Sequence, residues 1–221
     1  MGLVRYKSKR DFRRTREPAG RKGAASRRSR LMFVIQKHAA SRLHYDFRLE
    51  MDGVLKSWAV PKGIPTSKGD KRLAVEVEDH PLEYGRFEGL IPPGNYGAGT
   101  VMVWDGGSYE MLEGQPSAAW QAGKLVFRLQ GKKLKGVWTL VRMRPTEASN
   151  QKAWLLIKTE DSVREISARA DDTSAQSGRT MKQIAAATGK TWESSKKSSS
   201  QFKKARLRGS AWKSRRKSQR T

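Results

Sequence analysis

The chain has 221 residues, a net charge of +25, no cysteine and only 36% hydrophobic residues. Disulfides, thiolate metal centres and thiol nucleophiles are excluded, and a chain this poor in apolar residues is expected to fold over only part of its length. The charge is uneven: residues 1–30 hold 12 Lys and Arg against 2 acids, residues 31–160 hold 18 against 14, and residues 161–221 hold 16 against 5. A nearly balanced middle between two basic arms is the pattern of a protein whose arms neutralise nucleic-acid phosphates. The start lacks a hydrophobic signal region, Tyr6 stands where a myristoylation motif needs Ser or Thr, and no apolar run approaches membrane-spanning length. A soluble protein of the cytoplasm is expected, with no membrane partner.

Residues 1–30 read as a basic arm. Order is expected from Leu31, where Met32-Phe33-Val34-Ile35 leads through Gln36 and Lys37 to His38. Leu43-His44-Tyr45-Asp46-Phe47-Arg48-Leu49 alternates with the period of a half-buried strand, so His44, Asp46 and Arg48 share one face and Tyr45, Phe47 and Leu49 the other. Asp52-Gly53 signals a hairpin into Lys56–Val60, which Pro61, Gly63 and Pro65 end. The next alternation, Arg72 to His80, predicts a strand with Leu73, Val75 and Val77 inside and Arg72, Glu76, Glu78 and His80 outside. A glycine-rich loop, Gly89 to Gly99, lacks the Lys-Ser/Thr of a phosphate-binding P-loop and reads as a tight barrel turn. It opens into Thr100–Trp104, which Asp105-Gly106-Gly107 is expected to close. Strands follow at 124–129, 137–142 and 153–158. Many short strands and few helical runs predict a mainly β fold, a small closed or nearly closed β-barrel with short helices. The tail, residues 161–221, is expected to be basic and mostly disordered, with a short helix near 179–187.

All three histidines, His38, His44 and His80, fall in one window. His44 and Asp46 on one strand face offer a nitrogen and an oxygen ligand beside the fixed cation of Arg48, an arrangement that is costly unless something binds it. Without cysteine, any metal must be held by nitrogen and oxygen. An ordinary amphipathic strand facing water is the competing reading of that trio.

Longer motifs carry a resemblance. Gln36-Lys37-His38, Leu43–Glu50, Ser57-Trp58-Ala59-Val60-Pro61-Lys62-Gly63, Glu78-Asp79-His80-Pro81-Leu82-Glu83-Tyr84 and Tyr96-Gly97-Ala98-Gly99-Thr100 together resemble the 3′-phosphoesterase domain of bacterial DNA ligase D. The likeness runs from Arg10-Asp11-Phe12, Thr15 and Glu17-Pro18 to about Lys158, and Ser177–Met181 resembles the segment that joins this domain to the ligase. A free-standing member is therefore expected. The resemblance implies residues 31–160 as the phosphoesterase barrel, with part of the 1–30 arm folding over the site.

It implies a manganese-dependent hydrolase, other divalent transition metals being possible, that removes a 3′-phosphate and trims 3′-terminal ribonucleotides during double-strand break repair by non-homologous end joining. His38, His44 and Asp46 would hold the metal, and Arg48 and His80 would grip the scissile phosphate, with His80 alternatively a general acid. Gln36, Lys62, Arg72 and Tyr84 are further substrate-binding candidates, while Glu76 stands where a basic residue is expected. The implied partners are DNA or DNA/RNA 3′ ends, the end-binding protein Ku and a DNA ligase, with a monomer near the nucleoid. Two alternatives remain: a non-catalytic DNA-end-binding module, and a non-haem iron oxygenase whose facial triad would be His44, Asp46 and His80.

Overall fold

The computed structural model describes residues 2–20, 30–144 and 153–189. The chain divides into two units, residues 1–185 and 186–221, and of the second only the end of a helix, to residue 189, is described. The basic stretch expected to be disordered beyond it lies outside the described residues.

The fold is mainly β. In chain order come α1 (Val4–Ser8), β1 (Leu31–Ala39), β2 (Leu43–Met51), β3 (Val54–Val60), β4 (Lys71–Glu76), β5 (His80–Pro81), a 3-10 turn (Leu82–Arg86) and β6 (Gly89–Ile91). Then come β7 (Gly99–Met111), α2 (Pro116–Ala122), β8 (Lys124–Gly131), β9 (Lys135–Arg142), β10 (Ala153–Lys158), α3 (Ala168–Asp171) and α4 (Met181–Gly189). Every pairing is antiparallel, and the order β1-β2-β3-β4-β10-β9-β8-β7 returns to β1, closing a barrel with no free edge there. The β2–β3 hairpin turns at Asp52 and Gly53, both with positive φ (49° and 76°), which suits the right-handed twist of its strands.

Two apolar clusters explain why β1 reads as a continuous hydrophobic run. Phe33 and Ile35 point into the barrel with Phe47, Trp58, Phe127, Trp138 and Trp154. Val34, between them, points outward into a second cluster with Tyr6, Leu55, Tyr84, Phe87 and Ile91, beneath α1 and the 3-10 turn. A strand covered on both faces needs apolar residues on both, and each large side chain so buried contributes about 1.5–3 kcal/mol.

Three expectations need correction. The stretch Arg72–His80 is two strands, β4 and β5, which pair with different ends of β3. The β4 face is also inverted: Ala74 is fully buried while Leu73 is 46% exposed. The cause is Trp154, whose Nε1–H donates to Glu76 Oε2 at 2.9 Å and thereby turns the Glu76 carboxylate toward the indole. Third, Asp105-Gly106-Gly107 does not end a strand. β7 continues through it, because the buried Asp105 carboxylate accepts the N–H groups of Lys132, Lys133 and Leu134, and glycine lets strands approach where a Cβ at Gly107 would strike the Gln130 carbonyl.

Order also persists past residue 160. Ile184 is 1% exposed within the barrel cluster, and Val163, Ile166 and Met181 pack against it. Asp171 accepts from Lys37 Nζ at 2.7 Å, Tyr45 Oη at 3.2 Å and Trp104 Nε1 at 3.0 Å. Glu88 accepts from Ser174, Ser177 and Arg179. The folded unit thus includes this C-terminal strap, whose anchors are single side chains too sparse to give a periodic signal.

Candidate active site

β1 and β2 pair so that Gln36 faces Asp46, His38 faces His44 and Val34 faces Arg48. The outer face of this ladder therefore carries Gln36, His38, His44, Asp46 and Arg48 together. All but Gln36 line a cavity of about 350 Å³, to which Arg10, His80, Tyr84 and Tyr96 also contribute. A β1–β7 register shift between Ile35 and Gln36 lies directly before the site residues, as bulges often do where side chains must be re-aimed.

The two histidines are held at their far nitrogens. His38 Nε2–H donates to the Gly97 carbonyl at 3.0 Å, and His44 Nδ1–H donates to the Arg42 carbonyl at 2.9 Å. A carbonyl only accepts, so each contact fixes the ring tautomer and leaves the other nitrogen's lone pair on the cavity side. Those atoms, His38 Nδ1 and His44 Nε2, stand 3.6 and 3.8 Å from the two Asp46 carboxylate oxygens. Two nitrogen lone pairs and a carboxylate aimed at one point repel one another until a cation joins them. Among the described residues, the donor atoms of these three lie within 4.8 Å of one another, which fits a metal ion held by backbone-oriented imidazoles.

Arg48, 2% exposed, is fixed on several sides. Nε–H donates to Gln36 Oε1 at 2.8 Å, Nη1 to Ser57 Oγ at 2.8 Å and Nη2 to Asp46 Oδ2 at 3.1 Å. Burial alone would raise the Asp46 carboxyl, but the Arg48 guanidinium beside it prevails, and the group lies well below the ordinary carboxylate value. His80 Nδ1 lies 2.8 Å from the Glu78 carbonyl, 2.9 Å from Arg48 Nη1 and 3.2 Å from Ser57 Oγ, and Nε2 lies 3.3 Å from Arg10 Nη2, so a single neutral tautomer cannot serve every contact. Burial and then the guanidiniums of Arg48 and Arg10 push its pKa well below 6.5, so the ring is neutral. Burial likewise holds the Tyr84 phenol well above its usual pKa, beside His80 at 4.7 Å between ring centroids.

The N-terminal arm forms one wall. Arg10 Nε–H donates to Glu17 Oε1 at 2.8 Å, Arg10 Nη1 to Glu78 Oε1 at 3.2 Å, and Lys9 Nζ to Glu78 Oε2 at 3.0 Å. Tyr6, fully buried, donates to the Pro18 carbonyl at 2.7 Å. Asp11 is exposed and faces Arg13.

Other candidates stand apart. Gln36 is buried, its amide nitrogen donating to the Tyr84 and Phe87 carbonyls at 3.0 and 2.9 Å, so it aims Arg48 from behind the cavity. Lys62 is exposed on the turn after β3, and Arg72 bonds Asp70 at 3.3 Å; neither lines the cavity. Sequence reasoning missed Lys9, Glu78 and Tyr96 as site residues, and the two carbonyls of Arg42 and Gly97. Carbonyl positions depend on backbone path and leave no residue signature. Tyr96, although part of a quoted motif, sits in a loop assigned only a turning role.

No helix among the described residues is long and apolar enough to cross a membrane. Residues 36–142 match the family model of the DNA ligase D 3′-phosphoesterase domain. The multifunctional non-homologous end joining protein LigD of Pseudomonas aeruginosa is 53% identical over 159 residues, covering 72% of this chain and 19% of that protein. Its namesakes from Mycobacterium tuberculosis and Mycolicibacterium smegmatis are 46% and 43% identical over 142 and 164 residues, covering 63% and 72% of this chain and 18% and 21% of their own lengths. The chain thus spans about a fifth of the length of these curated relatives. With the barrel, the polar outer face of β1 and β2 and these matches, the chain belongs to the DNA ligase D 3′-phosphoesterase family.

Proposed function

We propose that this chain is a divalent-metal-dependent phosphoesterase acting on DNA 3′ ends, which removes a 3′-phosphate and trims a 3′-terminal ribonucleotide to leave a 3′-hydroxyl for joining in double-strand break repair. One observation carries the reading: His38 and His44 each give their far N–H to a backbone carbonyl and turn a lone pair toward Asp46, beside a buried guanidinium. His38, His44 and Asp46 would hold the ion, and a two-nitrogen, one-carboxylate set suits Mn(II) among other divalent transition metals. Bound there, the metal supplies Lewis-acid polarisation of a phosphate oxygen and an activated water.

The side chains do the rest. Arg48 spends one Nη2 proton on Asp46 and keeps the second for a phosphate oxygen, without needing to reorganise. His80 enters neutral, as burial and the two neighbouring guanidiniums dictate. A dianionic phosphate offsets the two guanidiniums, raises the proton affinity of the ring and lets Nε2–H donate to the phosphate. The Tyr84 phenol, held protonated, is a neutral donor. The expected partners are DNA or DNA/RNA 3′ ends, with Ku and a DNA ligase as candidates for the same repair step. The oxygenase alternative loses ground because the donor atoms that converge are those of His38, His44 and Asp46, not His80.

The test is phosphate release from a 3′-phosphorylated recessed primer with Mn(II), against a His44→Ala control. Turnover by the wild type and its loss in the variant are expected. A wild type that binds the primer without turnover would leave an end-binding module.

A further inference from the structure

We propose that Tyr96 is the platform on which the terminal nucleobase stacks, making it a specificity residue for nucleotide ends over other phosphomonoesters; this rests on the function proposed above. Tyr96 is 48% exposed, the only exposed aromatic side chain among the described residues, and belongs to neither apolar cluster. Apolar packing therefore gives no reason for its ring. Yet it lines the same cavity as His38, Asp46, Arg48 and His80.

Its position is fixed relative to them. Asn95 N–H donates to the Pro92 carbonyl at 3.3 Å and Ala98 N–H to the Asn95 carbonyl at 3.1 Å, so the loop is a pair of tight turns. The next residue, Gly97, takes φ +73° and presents its carbonyl to His38. The loop that orients a candidate metal ligand thus also carries the ring.

Lys9 and Arg10 provide the second element. Lys9 Nζ lies 4.2 Å from the Tyr96 ring centroid and donates to its hydroxyl at 3.0 Å, and Arg10 Cζ lies 5.6 Å from the centroid. A phosphate on the terminal 3′-oxygen, held by Arg48 and His80, leaves its own base one sugar ring away. An exposed aromatic flanked by cations matches the stacking platform and backbone charge that single-stranded ends require, and every base offers a π-face to it.

The experiment compares Mn(II)-dependent phosphate release from two matched primers, one ending in a 3′-phosphorylated nucleotide and one in the 3′-phosphorylated abasic sugar. In the wild type the abasic end should show a KM about tenfold higher, the scale of one base–aromatic stack. That ratio should fall close to one in Tyr96→Ala and persist in Tyr96→Phe and Tyr96→Trp, which keep a ring but lose the hydroxyl contact to Lys9. A Tyr96→Ala protein that keeps the ratio overturns the proposal, as does a wild type blind to the base. Failure of the wild type to release phosphate from either end removes the underlying function, and the stacking role with it.

Discussion

Gln36 and Arg48 are cross-strand neighbours whose 2.8 Å bond, from the guanidinium Nε–H to the amide oxygen, is wholly buried. The amide cannot turn, because its nitrogen is spent on two carbonyls. Replacing Gln36 by Leu should strand one N–H and two carbonyls and destabilise the protein by about 1–3 kcal/mol or more. Denaturant unfolding measures this. Phosphate release should fall as Arg48 loses its aim, while Mn(II) affinity, read by electron paramagnetic resonance, should persist.

Metal binding should register without turnover. A ligand that binds only the folded state at a hundred times its Kd stabilises by about 2.7 kcal/mol. Mn(II) should therefore raise Tm in the wild type and hardly at all in His44→Ala. An equal rise in both would move the metal elsewhere.

His80 predicts a pH dependence with a definite sign. Its folded pKa lies well below 6.5 while the unfolded chain titrates near that value, so below it the unfolded state binds the extra proton. The resulting stability is fully present above about pH 6.5 and drains away as pH falls toward the folded pKa. Calorimetric Tm should decline from pH 7 to 5, and His80→Gln should flatten that slope. Glu78 acts lower on the scale: burial opposes ionisation, but Lys9 and Arg10 prevail and depress its pKa, so its hold on the N-terminal arm is lost only as pH falls below 4.5.

Two truncations should behave differently. Stopping after Glu160 removes buried Ile184 and the Asp171 anchor, and should cost several kcal/mol, since a buried Ile alone is worth about 2–5. Stopping after Gly189 removes charge without touching these anchors. Its Tm should hold, while DNA binding should weaken and its salt dependence flatten. Unchanged DNA binding in the shorter chain would make that tail a solubiliser.

Where one face of a strand is wet and the other dry, alternation reveals it, and Leu43–Leu49 told its orientation in advance. At β4 two alternating sets competed, and the deciding partner, the Trp154 indole, lies far along the chain. Asp105-Gly106-Gly107 has the composition of a turn, and only the approach of β8 shows why a strand needs it. Residue types and spacing made His44 and Asp46 visible as candidate ligands, and the family resemblance added His38 to complete the candidate trio. The aim of the trio was not visible, because that comes from carbonyls at Arg42 and Gly97, and the strap was not, because Asp171 and Glu88 work through contacts remote in sequence.

β1 is bonded on both sides, to β2 from Phe33 to Ala39 and to β7 from Leu31 to Ala39, whereas β3 and β4 meet only at Trp58–Glu76 and Ala59–Val75. Transient opening of the ring should start at that short join, where amide hydrogens will exchange soonest. The wall bearing His38 and His44 should breathe least, so the spacing between the two imidazoles outlasts fluctuations that loosen the opposite side.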